Sequence, residues 1–182
     1  MTKYKLITTL HRVIKRLNIR ILLLIAYPLG ILYFIFTPIS SFKLSRRKKN
    51  INNYSALKVK INYVKYWVET VWLSQEGYMS QIYDHVEIVN EEEVVKLNKN
   101  FNSFIIALPH VGNWEFAIPM GEKLNLNLLA VAEPLQDTKI LDWFTDLREG
   151  LGCEIILGGK GQNTFNKLLE RISEGYHVCL LA

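Results

Sequence analysis

The residues best suited to chemistry lie in one short stretch, 108 to 117, LPHVGNWEFA. It places an imidazole at His110 and a carboxylate at Glu115 directly after an apolar run, 104 to 108, FIIAL. On one continuous helix a separation of five residues is about 500° of rotation, so the two side chains would not share a face. They can meet only if His110 sits in a turn and Glu115 in the first turn of the helix that follows. Gly112 and Asn113 permit such a turn, and Asn113 is a suitable helix cap. Glu115 would then accept a hydrogen bond from one imidazole nitrogen, which fixes the tautomer and makes the other nitrogen more basic. The chemistry on offer is general-base catalysis, a contribution of roughly 10²- to 10⁴-fold in rate. The alternative is a histidine satisfied by local backbone, with Glu115 on a solvated helix face.

No protein nucleophile accompanies this base. There is no G-x-S-x-G, and Cys153 and Cys179 are remote in sequence and lie in apolar, strand-like stretches. They read as small core residues of a reducing compartment. His11, His85 and His177 are scattered and H-E-x-x-H is absent, so no metal site is expected. The GGKG turn at 158 to 161 lacks P-loop spacing, which leaves Lys160 a weak phosphate candidate. A base without a nucleophile suits direct transfer, in which an activated acceptor hydroxyl attacks a bound donor.

The elements that must position these residues follow from periodicity. Four apolar runs read as strands: 104–108, 126–132, 153–157 and 177–182. Between them lie a helix from about Asn113, shortened or kinked by Pro119, a helix over 138–149 stopped by Gly150, and a helix over 164–174 ended by Gly175. The last carries Phe165, Leu168, Leu169 and Ile172 on one face. Alternation of this kind predicts an α/β fold, a mainly parallel sheet with flanking helices and right-handed crossovers. In such sheets ligands bind beyond the carboxyl ends of the strands. His110, Glu133 and the GGKG turn all follow strands and so fall at one rim. The chain ends at Ala182 on an apolar strand, which suggests carboxy-terminal truncation before a further rim loop. Upstream, 84 to 97 reads as a short alternating strand and then a short helix with Asn90 as N-cap. Residues 57–73 form a helix with Leu57, Ile61, Val64, Val68 and Val71 on one face, suited to packing on a sheet or, with its Tyr and Trp residues, to a membrane interface.

Charge divides the chain. Residues 1–60 hold thirteen Lys and Arg and no acid, while 61–182 hold nine Lys and Arg and all seventeen acids. Within the basic part, Ile21 to Phe36 is a run of sixteen uncharged residues interrupted by Pro28 and Gly30 and flanked by basic residues on both sides. Since about twenty apolar residues span a bilayer, the run is a marginal span, a re-entrant segment or an interfacial anchor. Basic flanks favour anionic lipid over nucleic acid as the partner and the cytoplasmic face of the plasma membrane as the place. The expected organisation is an anchoring segment over residues 1–50 and an α/β portion over 51–182. A lipid-like donor or acceptor follows.

Several stretches together resemble a known family. H-x-x-N-W-E at a strand end, here His110 to Glu115, resembles the bacterial lipid A-type acyltransferases. More closely, YVKYWVET, LPHVGNWEFA, VAEPL, LREGLGCEII and VCLLA resemble the actinobacterial phosphatidylinositol mannoside acyltransferases, over residues 55–182. The resemblance implies a glycerolipid acyltransferase-like fold and a membrane-associated O-acyltransferase. It implies transfer of a fatty acyl group from acyl-CoA, or from acyl carrier protein, to a sugar hydroxyl of a glycolipid, with no further cofactor. It makes His110 the general base and Glu115 the residue that orients and charge-stabilises it, with Asn113 and Trp114 shaping the turn and pocket mouth. Glu133 matches the family's VAE. Pro134 stands where the subfamily has arginine. Arg148 matches the family's R-x-x-x-G, although helix 138–149 should carry it away from His110, so that either the helix is irregular or Arg148 is structural. The competing readings are a lipid A-type acceptor and an inactive remnant that binds lipid surfaces.

Overall fold

The computed structural model describes residues 5, 8–9, 11–12, 17–46, 55–73, 82–159, 161 and 163–181. They form two compact units, residues 5–72 and 73–182.

In the first unit, α1 (Ile19–Phe36) is one continuous helix with Pro28 inside it. The expected interruption at Pro28 and Gly30 does not occur. At about 1.5 Å per residue the helix is roughly 27 Å long, and it is long and apolar enough to cross a membrane by length and composition. Asn18 caps its start, its Oδ1 accepting from Arg20 N at 2.8 Å. Gly30 has a packing role: a Cβ there would lie 2.6 Å from Ile61 Cα. Ile61 belongs to α3 (Ala56–Leu73), so the missing side chain lets two backbones approach. Tyr33 of α1 stacks on Tyr63 of α3 at 5.8 Å between centroids. Between them in sequence, α2 (Pro38–Arg46) follows α1 after the single residue Thr37.

In the second unit α4 (Glu91–Asn100) precedes the sheet. The strand expected just before it is absent, and residues 84–90 are turn and coil. Alternation alone makes no strand without a neighbouring ladder to join. Asn90 does not cap α4 through its side chain, because it takes the left-handed conformation at φ 60°. The four expected strands are present within a residue of their predicted ends: β1 (Ile105–Leu108), β2 (Asn127–Ala132), β3 (Cys153–Leu157) and β4 (Tyr176–Leu181). All pair in parallel, in the order β1-β4-β2-β3. The most carboxy-terminal strand is thus interior, held by β1 on one side and β2 on the other.

Helices lie on both faces of the sheet. On one, α5 (Ala117–Lys123) lies so close that a Cβ on Gly121 would meet Leu128 at 2.5 Å. On the other, Leu168 and Ile172 of α7 (Thr164–Ser173) pack on Leu129, Ile156 and Val178. Phe165 and Leu169, expected on the same buried face, are exposed. β1 lies at the edge of this sheet and is not buried throughout, since Ile105, which shares a face with Val178 by register, is exposed. The helix between β2 and β3 is α6 (Thr138–Gly150). It runs through Gly150, and the left-handed residue that ends it is Gly152 at φ 100°.

Cys153 and Cys179 are free and lie within the sheet. Burial raises their thiol pKa values to about 12 and about 11, so neither is a ready nucleophile. His177 is also buried, with Nδ1 lacking a hydrogen-bond partner and its ring 4.1 Å from that of Phe104. Desolvation lowers its pKa below the usual 6.5. A depressed histidine pKa means that the unfolded chain binds the proton first as pH falls below 6.5. Stability should therefore decline as pH falls from 6.5 toward the folded-state value, by at most about 1.4 kcal/mol per pH unit. Denaturant titrations above and below pH 6.5 should show this decline, and His177→Phe should flatten it. An unchanged slope in that variant would place the pH dependence elsewhere.

Candidate functional site: the turn after β1

β1 ends at Leu108 and the chain turns at once. Val111 N donates to Pro109 O at 2.7 Å, a γ-turn with His110 at its apex. His110 is exposed there. Gly112 follows at φ 70°, a conformation that lets the chain reverse without a Cβ clash. Asn113 then caps the next element as its sequence suggested, its Oδ1 accepting from Glu115 N at 3.2 Å. What it caps is a 3-10 turn, Trp114–Phe116, that runs into α5. Pro119 is in the first turn of α5, where a missing N–H is tolerated, so the helix is short but unbroken.

Glu115 is fully buried, with 0% of its surface exposed. Both its oxygens are held by Arg148: Nε donates to Oε2 at 3.1 Å and Nη2 to Oε1 at 2.9 Å. This is a bidentate fork, and Arg148 is itself only 16% exposed. The guanidinium also lies 4.5 Å from the centroid of the Trp114 ring and 5.2 Å from that of Phe144. Two cation–π contacts and a carboxylate thus compensate its loss of water.

The side chain of Arg148 thus reaches the motif at Glu115. Arg148 is in the last turn of a regular helix, as expected. Helical side chains, however, lean toward the helix amino terminus, and an arginine is long enough to reach back along the helix. Phe144, four residues earlier, forms the platform it lies on. That i, i+4 pairing of an aromatic and an arginine was the signal available in the sequence.

The other rim candidates are dispersed. Glu133 leaves the carboxyl end of β2, exposed and without a hydrogen bond or ion pair among the described residues. Since β4 separates β1 from β2, His110 and Glu133 leave from strands that are not neighbours. The turn after β3 is tied to β2, Gly158 N donating to Ala132 O at 2.9 Å, and Lys160 lies outside the described residues. Among the described residues no three His, Cys, Asp or Glu side chains gather to hold a metal ion. The arrangement therefore offers one exposed imidazole on a tight turn, with a buried ion pair fixing the element that follows.

The chain is similar to the phosphatidylinositol mannoside acyltransferase of Mycolicibacterium smegmatis, 28% identical over 131 residues that make up 66% of this chain and 40% of that relative. It is similar also to the enzyme of the same name from Mycobacterium tuberculosis, 37% identical over 79 residues, 43% of this chain and 25% of the relative. The chain therefore matches well under half the length of these curated relatives. The family model described as bacterial lipid A biosynthesis acyltransferase matches residues 58–182, which include β1 to β4, the His110 turn and Arg148. On that match the chain belongs to the bacterial lipid A biosynthesis acyltransferase family.

Proposed function

We propose that the chain carries the general base of an O-acyltransferase that moves a fatty acyl group from acyl-CoA to a sugar hydroxyl of a glycolipid. The observation that carries this reading is His110 exposed at the apex of its γ-turn, at the carboxyl end of β1. Parallel sheets bind their ligands at that end. The imidazole takes the proton of the acceptor hydroxyl as the oxygen attacks the thioester carbonyl. The C–S bond breaks, the new ester forms, and the imidazolium returns the proton to the departing thiolate. Glu115 orients the imidazole and stabilises its positive charge, and Arg148 holds the carboxylate in place. Asn113 sets the turn and Trp114 lines its mouth, with Glu133 and Arg148 contributing to the substrate side.

The relatives' names support a glycolipid as the acceptor class. Both a phosphatidylinositol mannoside and a lipid A precursor are glycolipids with free sugar hydroxyls, and the mannoside is favoured because the curated relatives carry that name. The apolar helix α1 suits an enzyme working on membrane lipids, at the cytoplasmic face where acyl-CoA is available. The test is incubation with acyl-labelled acyl-CoA and either acceptor. Label should appear on the mannoside in preference to the lipid A precursor. The reverse preference would assign the lipid A acceptor, and label on neither would refute the transfer reaction.

A further inference from the structure

A second feature of the chain lies in the first unit, far in sequence from the His110 turn. An open cleft of about 580 Å³ is lined by Phe36, Thr37, Pro38, Ile39, Ser40, Lys43 and Leu44, at the corner between α1 and α2. Its lining is part apolar, from Phe36, Pro38, Ile39 and Leu44, and part polar, with Thr37, the ammonium of Lys43 and the hydroxyl of Ser40. Behind the hydroxyl is a buried cation: Lys60 of α3 is 4% exposed, and its Nζ donates to Ser40 Oγ at 2.8 Å. The same ammonium lies 4.1 Å from the centroid of the Tyr33 ring.

Lys60 has no carboxylate within ion-pair distance among the described residues. Nor can residues 1–60 supply one, since they contain no acid. A buried ammonium is retained at a cost unless an anion compensates it, and one hydroxyl and one ring face leave that compensation incomplete. Ser40 connects Lys60 to the cleft, and Lys43 adds a second positive charge to its lining. Phe36 and Ile39, 78% and 74% exposed, continue the apolar surface of α1 into the same cleft.

The geometry points to a binding site for an anionic phospholipid at this corner. Its phosphate sits against Lys43 and Ser40, with Lys60 behind, and the upper part of an acyl chain lies along Phe36 and Ile39. Charge complementarity and the apolar lining together select this occupant, because a free phosphate would leave the apolar lining unused. The site would fix the end of α1 at the headgroup level, and it is independent of the acyl-transfer reading.

The test is flotation of the full chain with vesicles of phosphatidylcholine alone or of phosphatidylcholine with phosphatidylglycerol. The apolar helix should give binding to both, with an excess on the anionic vesicles. Lys43→Gln, which removes an exposed lining charge, should reduce that excess about fivefold. Ser40→Ala should reduce it while leaving binding to phosphatidylcholine unchanged. Lys58→Gln, an exposed lysine of α3 outside the cleft, should have a smaller effect. Equal losses for Lys43→Gln and Lys58→Gln would mean diffuse attraction and would overturn the site. So would an unchanged excess in both cleft variants. Inorganic phosphate at matched ionic strength should compete weakly, and full displacement by it would show a free-phosphate site instead.

Discussion

Replacing Arg148 with methionine is expected to destabilise the unit of residues 73–182 by about 3–5 kcal/mol. The reason is the environment of its partner. Glu115 has no exposed surface, and Arg148 donates to both of its oxygens. Without the guanidinium a buried carboxylate loses its paired cation, a larger penalty than the pair's net contribution to folding. Arg148→Lys should recover only part of the loss, because an ammonium cannot reproduce the two-pronged geometry or stack on Trp114 and Phe144. Replacing both partners, Glu115→Gln with Arg148→Met, should cost clearly less than the sum of the single changes. Denaturant titration of the four proteins measures this coupling directly. A folded Arg148→Met protein with an unchanged midpoint would show that the ion pair does not hold the turn.

The pair also shows what could and could not be read from the sequence. Each strand of the sheet is an apolar run bounded by turn residues, so β1 to β4 are legible almost to the residue. Their lateral order is not, because hydrophobicity marks a strand and says nothing of its neighbour. β4 accordingly reads as the last element of the chain yet lies between β1 and β2. The alternation at 84–89 misleads for a related reason, since a local pattern makes a strand only where a ladder is available. Asn90 and Gly150 are both local signals displaced by one conformational choice: Asn90 takes the left-handed region, and the chain defers its own left-handed residue to Gly152.

At the site the local contacts were legible and the distant one was not. The Gly112 turn and the Asn113 cap lie within six residues of His110, and local stereochemistry dictates them. The contact from Arg148 to Glu115 spans thirty-three residues. Helix geometry alone placed Arg148 at the far end of α6, and only the length and lean of the side chain bring it back.

Loss of the imidazole is expected to have the largest effect on activity. His110 is exposed, so His110→Ala creates no cavity and leaves the Glu115–Arg148 pair intact. Thermal unfolding should therefore be close to that of the unaltered protein, within about 0.5 kcal/mol. Acyl transfer should nevertheless fall by roughly 10²- to 10⁴-fold, the contribution of a positioned general base. If the base acts on the acceptor hydroxyl, the loss appears in turnover with little change in affinity for acyl-CoA. The contrast with Arg148→Met is useful, because that variant loses stability first and activity through it.

The most direct measurement is the rate at which acyl label passes from acyl-CoA to the glycolipid hydroxyl, compared between the unaltered protein and a folded His110→Ala variant. A fall of at least about a hundredfold in the variant is the predicted result. Equal rates from two equally folded proteins would contradict the assignment of His110 as the base.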